Sequence, residues 1–117
     1  MIPERFPVER VKDYHTHYIG KYYNGIQFFG TICNLSRNFQ VVLYLFDKDG
    51  NTLGTELKPT EISREMEYFS RIEKLENILK DMIKEVGPYE FCDIMVKPFE
   101  IEFEVDGVTS LFGLIAN

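Results

Sequence analysis

The apolar residues of this chain change period twice, and that limits what it can fold into. From Tyr14 to Lys58 they recur every second residue or run together in short blocks. From Glu61 to Val86 they recur at helical spacing, and after Gly87-Pro88 the two-residue period returns. A strand exposes alternate residues to each side of a sheet, whereas a helix gathers positions three and four apart on one face. One helix-type segment between two strand-type regions predicts an α+β fold: a mostly antiparallel sheet of about six strands with one long helix packed on one face. At 117 residues the chain holds one core, so 1–117 is read as one domain, with 1–13 an extended arm kept open by Pro3 and Pro7.

The helical stripe comprises Ile62, Met66, Phe69, Ile72, Leu75, Leu79, Met82, Ile83 and Val86. It is too broad for a two-stranded coiled coil and suits a helix lying across a sheet. Thr60, after Pro59, is the expected N-cap, and Gly87-Pro88 the stop. The core should join Phe69, Ile72, Leu79 and Ile83 to Val42, Phe46, Phe28 and Ile101.

Turn chemistry sets the strand registers, because a slip of one residue would exchange the two faces of a strand. In the first hairpin, strands at about 14–22 and 26–34 flank Tyr23-Asn24-Gly25. A three-residue loop with Gly25 left-handed pairs Tyr22 with Ile26 and Gly20 with Phe28. It also sets Lys21 against Gln27, His17 against Thr31 and His15 against Cys33. "FQVVLYLFD", apolar on both faces, reads as a central strand. An Asp49-Gly50 turn returns it, pairing Phe46 with Leu53 and Val42 with Leu57. "EVGPYEFCD" reads as a helix exit. "CDIMV" and "PFEIEFEV" are strands with apolar residues on opposite parity, which places a break at Lys97-Pro98. An Asp106-Gly107 turn then pairs Val105 with Val108 and Ile101 with Phe112.

Charge narrows the partners. The formal net charge is −6, and it is uneven. Residues 1–58 carry seven Lys/Arg against six Asp/Glu; residues 59–90 carry five against eight, and residues 91–117 one against five. Phosphate neutralisation needs a basic stripe, and no segment supplies one, so nucleic acid is not an expected partner. No apolar run approaches the roughly 20 residues of a membrane helix, so no membrane partner is expected either. The charged, proline-bearing opening is no signal peptide. The expectation is a cytoplasmic protein, monomer or homodimer, with Cys33 and Cys92 as free thiols and no cofactor.

Two constellations carry chemistry. His15, His17 and Cys33 share a face in the preferred register and offer three ligands of a type that zinc accepts. A fourth ligand and the paired Cys-x-x-Cys spacing are missing, so polar residues on an outer sheet face are the simpler account. Glu100, Glu102 and Glu104 alternate along one strand, and Asp93 and Asp106 could extend them into an acidic strip that docks a basic protein partner. "DKDGNT" lacks the glycine and glutamate positions of a calcium loop. No catalytic residues stand out, which leans away from an enzyme.

"MIPERFPVE", "YHTHYIGKYYNGIQFFG", "LYLFDKDGNTLGTE" and the terminal "FGLI" together resemble small bacterial proteins of the formate hydrogenlyase regulatory group. The resemblance implies a transcriptional or assembly regulator with no catalytic residues to carry over. Small acidic α+β proteins of this sort are also similar, at the level of fold, to toxin-neutralising immunity proteins. The expected function is a non-enzymatic protein-interaction module, regulatory or inhibitory. The alternative is a small-molecule- or metal-binding protein, or an enzyme, centred on the first hairpin.

Overall fold

The computed structural model describes residues 6–8, 17–34, 37–97, 99–105 and 108–114, and side-chain surroundings for 18–33 and 37–97. In chain order the elements are β1 (Phe6–Val8), β2 (His17–Tyr22), β3 (Gln27–Asn34), β4 (Asn38–Phe46), β5 (Thr52–Ser63), α1 (Tyr68–Val86), β6 (Tyr89–Phe91), β7 (Ile94–Val96), β8 (Phe99–Val105) and β9 (Val108–Leu114). The fold is α+β. Five strands form an antiparallel sheet in the order β5-β4-β3-β2-β6, and α1 packs on it. Two further pairs, β1-β7 and β8-β9, form separate two-stranded sheets. Among the described residues no helix is long and apolar enough to cross a membrane.

The first hairpin has the register that three-residue loop chemistry demands. Lys21 faces Gln27, Gly20 faces Phe28 and His17 faces Thr31. Gly25 has φ +95°, a conformation that glycine adopts without strain, and its N–H donates to the Tyr22 carbonyl at 2.9 Å. The β4-β5 hairpin pairs Val42 with Leu57 as expected, but slips by one residue at its tip, so that Phe46 faces Thr52 instead of Leu53. The cause is Asp47. Its carboxylate accepts from the Asp49 and Asn51 backbone N–H groups and from the Asn51 amide, each at 2.9 Å, which widens the turn and leaves Leu53 exposed. The break at Lys97-Pro98 is present: β7 pairs with β1, while β8 pairs with β9 in the expected register, Val105 on Val108 and Ile101 on Phe112.

Two expectations about element boundaries need correction. The helix starts at Tyr68, not near Glu61, because β5 continues through "KPTEIS" along β4. Gln40 faces Pro59 and Asn38 faces Ser63, and the Thr60 hydroxyl donates to the Phe39 carbonyl at 2.7 Å. Pro59 is tolerated because β5 is an edge strand, whose outer side needs no ladder donor. The cap is Glu67 rather than Thr60, with its two carboxylate oxygens accepting from Phe69 N–H (3.0 Å) and Ser70 N–H (2.8 Å). These bonds hold its pKa below the usual carboxylate value. The second correction is "YEF": it is the edge strand β6, which pairs with β2 through Gly20–Phe91 and Tyr22–Tyr89.

The sheet is covered on both sides. On one, Leu75, Leu79, Met82 and Ile83 of α1 bury against Tyr22, Phe28, Val41 and Leu43. The Tyr22 hydroxyl donates to the Ile83 carbonyl at 2.8 Å, and the Tyr18 hydroxyl to Glu76 Oε1 at 2.7 Å. The helix therefore runs parallel to β2. Leu79 sits where β3 has Gly30; a Cβ there would lie 2.6 Å from its Cδ1. On the other side Ile19, Val42, Tyr44 and Phe46 pack against Ile94 and Val96 of β7. Val42 and Phe46 thus belong to a different cluster from the helix, contrary to expectation. Phe69 lies outside both clusters, and the Ile101 side chain lies outside the described residues.

β7 is fastened by one side chain. Gln27, 2% exposed, donates from Nε2 to the carbonyls of Asp47 (2.9 Å) and Met95 (2.8 Å), and its Oε1 accepts from Met95 N–H (2.7 Å). It behaves toward Met95 as a neighbouring strand would. Lys97 N–H adds a bond to the Gly50 carbonyl at 2.9 Å. Gln27→Leu keeps the bulk but strands these backbone groups and should lower stability by about 1–3 kcal/mol. Urea unfolding checks this; an unchanged midpoint would mean that burial and its backbone pairing with β1 hold β7 without Gln27.

Candidate interaction surface

Neighbouring aromatic residues on a helix point about 100° apart, so Tyr68 and Phe69 cannot both face one sheet. Neither is buried: Tyr68 is 57% exposed and Phe69 77%. Their rings meet edge to face at 5.4 Å, and half-buried Ile72 lies one turn further on. With Glu73 and Glu76 these residues line an open groove of about 530 Å³ along the flank of α1.

Residues beside the groove hold its lining in place. The Arg71 guanidinium stacks over Tyr68 (5.3 Å) and Phe39 (5.1 Å), and its Nη1 donates to the Arg64 carbonyl at 3.1 Å. This ties the first turn of the helix to the start of β4. On the opposite flank Glu76 accepts the Tyr18 hydroxyl, Lys80 lies over the Tyr18 ring at 6.0 Å, and Phe91 packs on that ring at 5.5 Å. Tyr18 and Tyr22 thus serve packing, while Tyr23 is exposed. A second hollow, lined by Arg37, Asn38, Glu61, Ser63, Arg64 and Glu65, mixes both signs of charge and, among the described residues, offers no apolar anchor.

The residues singled out in the sequence fall elsewhere. His15 and Asp106 lie outside the described residues. His17 stands opposite Thr31 in β2, and its side chain is not among those described. Glu100, Glu102 and Glu104 occupy alternate positions of β8, opposite Gly113, Leu111 and Thr109; their side chains too lie outside the description. Asp93 is exposed between β6 and β7. Among the described residues no group of three His, Cys, Asp or Glu could hold a metal ion.

Cys33 is not on an outer face. It is half-buried against the cluster formed with β7, opposite Gln40, whose Oε1 is buried with no hydrogen-bond partner among the described residues. Burial pushes the Cys33 thiol up to about 11, away from the thiolate that a nucleophile or a metal ligand requires.

The Tyr68-Phe69-Ile72 surface is absent from the sequence reading because Phe69 and Ile72 fit the helical stripe. The adjacent pair "YF" was the available signal. No family model, curated protein or solved structure matches the chain.

The thiols give a direct check. Burial keeps the Cys33 proton on until pH approaches 11, above the ordinary thiol value of 9.0. Its contribution to stability is complete below pH 9 and is lost as pH rises through 11, because the unfolded chain releases that proton first. At pH 8 iodoacetamide should label Cys92 well before Cys33, at rates unchanged by added zinc. Rapid labelling of Cys33, or its protection by zinc with loss of that protection in His15→Ala, would restore the first hairpin as a reactive or metal-binding site. Mass spectrometry of the two peptides reads either result.

Proposed function

We propose that this chain is a non-enzymatic protein-interaction module, regulatory or inhibitory in effect, which meets its partner through the first turns of α1. The observation that carries the reading is the exposure of Phe69 beside Tyr68, on a helix whose later apolar residues Leu75, Leu79, Met82 and Ile83 are buried. An adjacent pair of exposed rings with an aliphatic neighbour is the composition found at the centre of protein interfaces. It also sits on a rigid element, so little freedom is lost when a partner binds. A regulator, or an inhibitor that neutralises another protein, needs such a surface. In this reading the protein acts in the cytoplasm, as a monomer or homodimer, in accord with the regulatory role that the resemblance implies.

The test is site-specific photocrosslinking in the cells that make the protein. A benzophenone amino acid at position 69 should give a discrete adduct with another protein, and the same group at Asp81, exposed further along α1, should not. Phe69→Ser should abolish binding of the identified partner while changing stability by no more than about 0.5 kcal/mol, as expected for a surface position. Equal yields at 69 and 81, or unfolding of Phe69→Ser, would remove this surface from the function. An interaction that survives Phe69→Ser but is lost when Glu100, Glu102 and Glu104 are all changed to Gln would transfer it to β8.

A further inference from the structure

Beyond the surface on α1, we infer that the outer edge of β5 joins two copies of this chain, strand to strand, across a two-fold axis at Leu57. β5 ends the five-stranded sheet, and among the described residues no strand pairs with its outer side. In an antiparallel ladder, residues alternate between bonding the neighbouring strand and pointing their N–H and C=O groups away from it. Pro59, which has no N–H to give, stands opposite Gln40 and takes an outward position. The pairing from Gln40 to Leu45 is unbroken, so Thr55 and Leu57 point outward too, while Glu56 and Lys58 bond Leu43 and Val41 of β4.

Sheet edges are usually blunted by a proline, a lysine or a bulge. Here the proline lies at 59 and the irregularity falls between Gly54 and Thr52, which leaves a short open ladder at Thr55, Leu57 and the Pro59 carbonyl. A long added strand finds no continuous ladder there. A two-fold partner uses the same short window twice. With the axis at Leu57, its N–H donates to the Leu57 carbonyl of the other copy, and Thr55 N–H donates to the other copy's Pro59 carbonyl. Symmetry repeats both bonds and joins the two five-stranded sheets into one.

Charge selects this register. Outward positions pair only with outward positions, so the axis falls at Glu56, Leu57 or Lys58; at Thr55 it would draw the ladder into the irregular stretch 52–54. Glu56 and Lys58 are both exposed. An axis at Glu56 sets that carboxylate against its own copy, and an axis at Lys58 sets ammonium against ammonium. The axis at Leu57 sets Glu56 opposite Lys58, twice. Directly opposed unlike charges attract across a strand pair and like charges repel.

Sedimentation of the full chain over a rising concentration series should show a monomer–dimer equilibrium. Glu56→Lys and Lys58→Glu each oppose like charges twice, and each should weaken the dimer about tenfold or more. The double exchange, Glu56→Lys with Lys58→Glu, should restore it. Hydrogen exchange on the unaltered chain gives a second measurement. The Thr55 and Leu57 amides should exchange more slowly as concentration rises, whereas those of Glu56 and Lys58, already bonded to β4, should keep the same protection. A chain that stays monomeric at every concentration would overturn the inference. So would exchange at Thr55 and Leu57 that ignores concentration, or a dimer that the charge exchanges leave unchanged. A dimer dissociated by Phe69→Ser would overturn it as well, while leaving the interaction surface on α1 standing.

Discussion

The burial of β4 on both of its faces is the constraint from which the rest of the architecture follows. Val41 and Leu43 point to the helix side, Val42, Tyr44 and Phe46 to the other, and all five are buried. A strand of this composition cannot leave either face wet without exposing several hundred Å² of apolar surface. One helix covers one face, so the chain needs a second covering layer, and Ile94 and Val96 of β7 supply it. The order of elements after the helix follows from that need. α1 runs along the first face, β6 takes the sheet edge beside β2, and the chain then crosses to the opposite face as β7.

Crossing to that face raises a difficulty that Gln27 resolves. β7 is three residues long and takes no place in the five-stranded ladder, so the main sheet's own backbone does not satisfy its peptide groups. A buried peptide group left unpaired would offset much of what Ile94 and Val96 contribute by burial. Gln27 carries an amide chemically equivalent to a peptide group, and it both donates to and accepts from Met95. Its remaining proton reaches the Asp47 carbonyl at the β4-β5 turn, so one side chain ties three segments together. Its cross-strand neighbour Lys21 is exposed although Gln27 is buried.

Features governed by local chemistry were legible. Gly25, Gly87-Pro88 and the parity change at Lys97-Pro98 each act within a few residues, and they set the first register, the helix end and the break before β8. What was not legible depended on distant partners. Residues 58–63 satisfy a helical pattern and a strand pattern alike, since Ile62 is apolar in both. The tie is broken by Phe39 and Gln40, some twenty residues away. Glu67 lay inside the expected helix, whose start was placed near Glu61 with Thr60 as its cap, so its capping role depended on the strand β5 holding residues 58–63. Cys33 was assigned to an open face because nothing local announces that β7 will cover it. The acidic residues of β8 were easy to read as a pattern, whereas the groove was hidden inside a stripe that looked like core.

The late start of the helix also explains why a groove exists. Had α1 begun at Glu61, Phe69 would sit two turns inside it, over the sheet, with a preceding turn to shield it. Because β5 keeps residues 58–63, the helix opens at Tyr68, and its first turn stands at the border of the packed layer. Ile62, buried from the strand, already fills space that an earlier helical turn would have claimed. Tyr68 and Phe69 are left beyond it, held by the Glu67 cap below and by Arg71 stacked beside them. Ordinary selection for folding would place a polar residue at position 69, since a ring 77% exposed adds little to the stability of the monomer. The helix start thus departs from local rules on a rigid element, where Tyr68 and Phe69 stand exposed side by side. Exceptions of that kind belong with function.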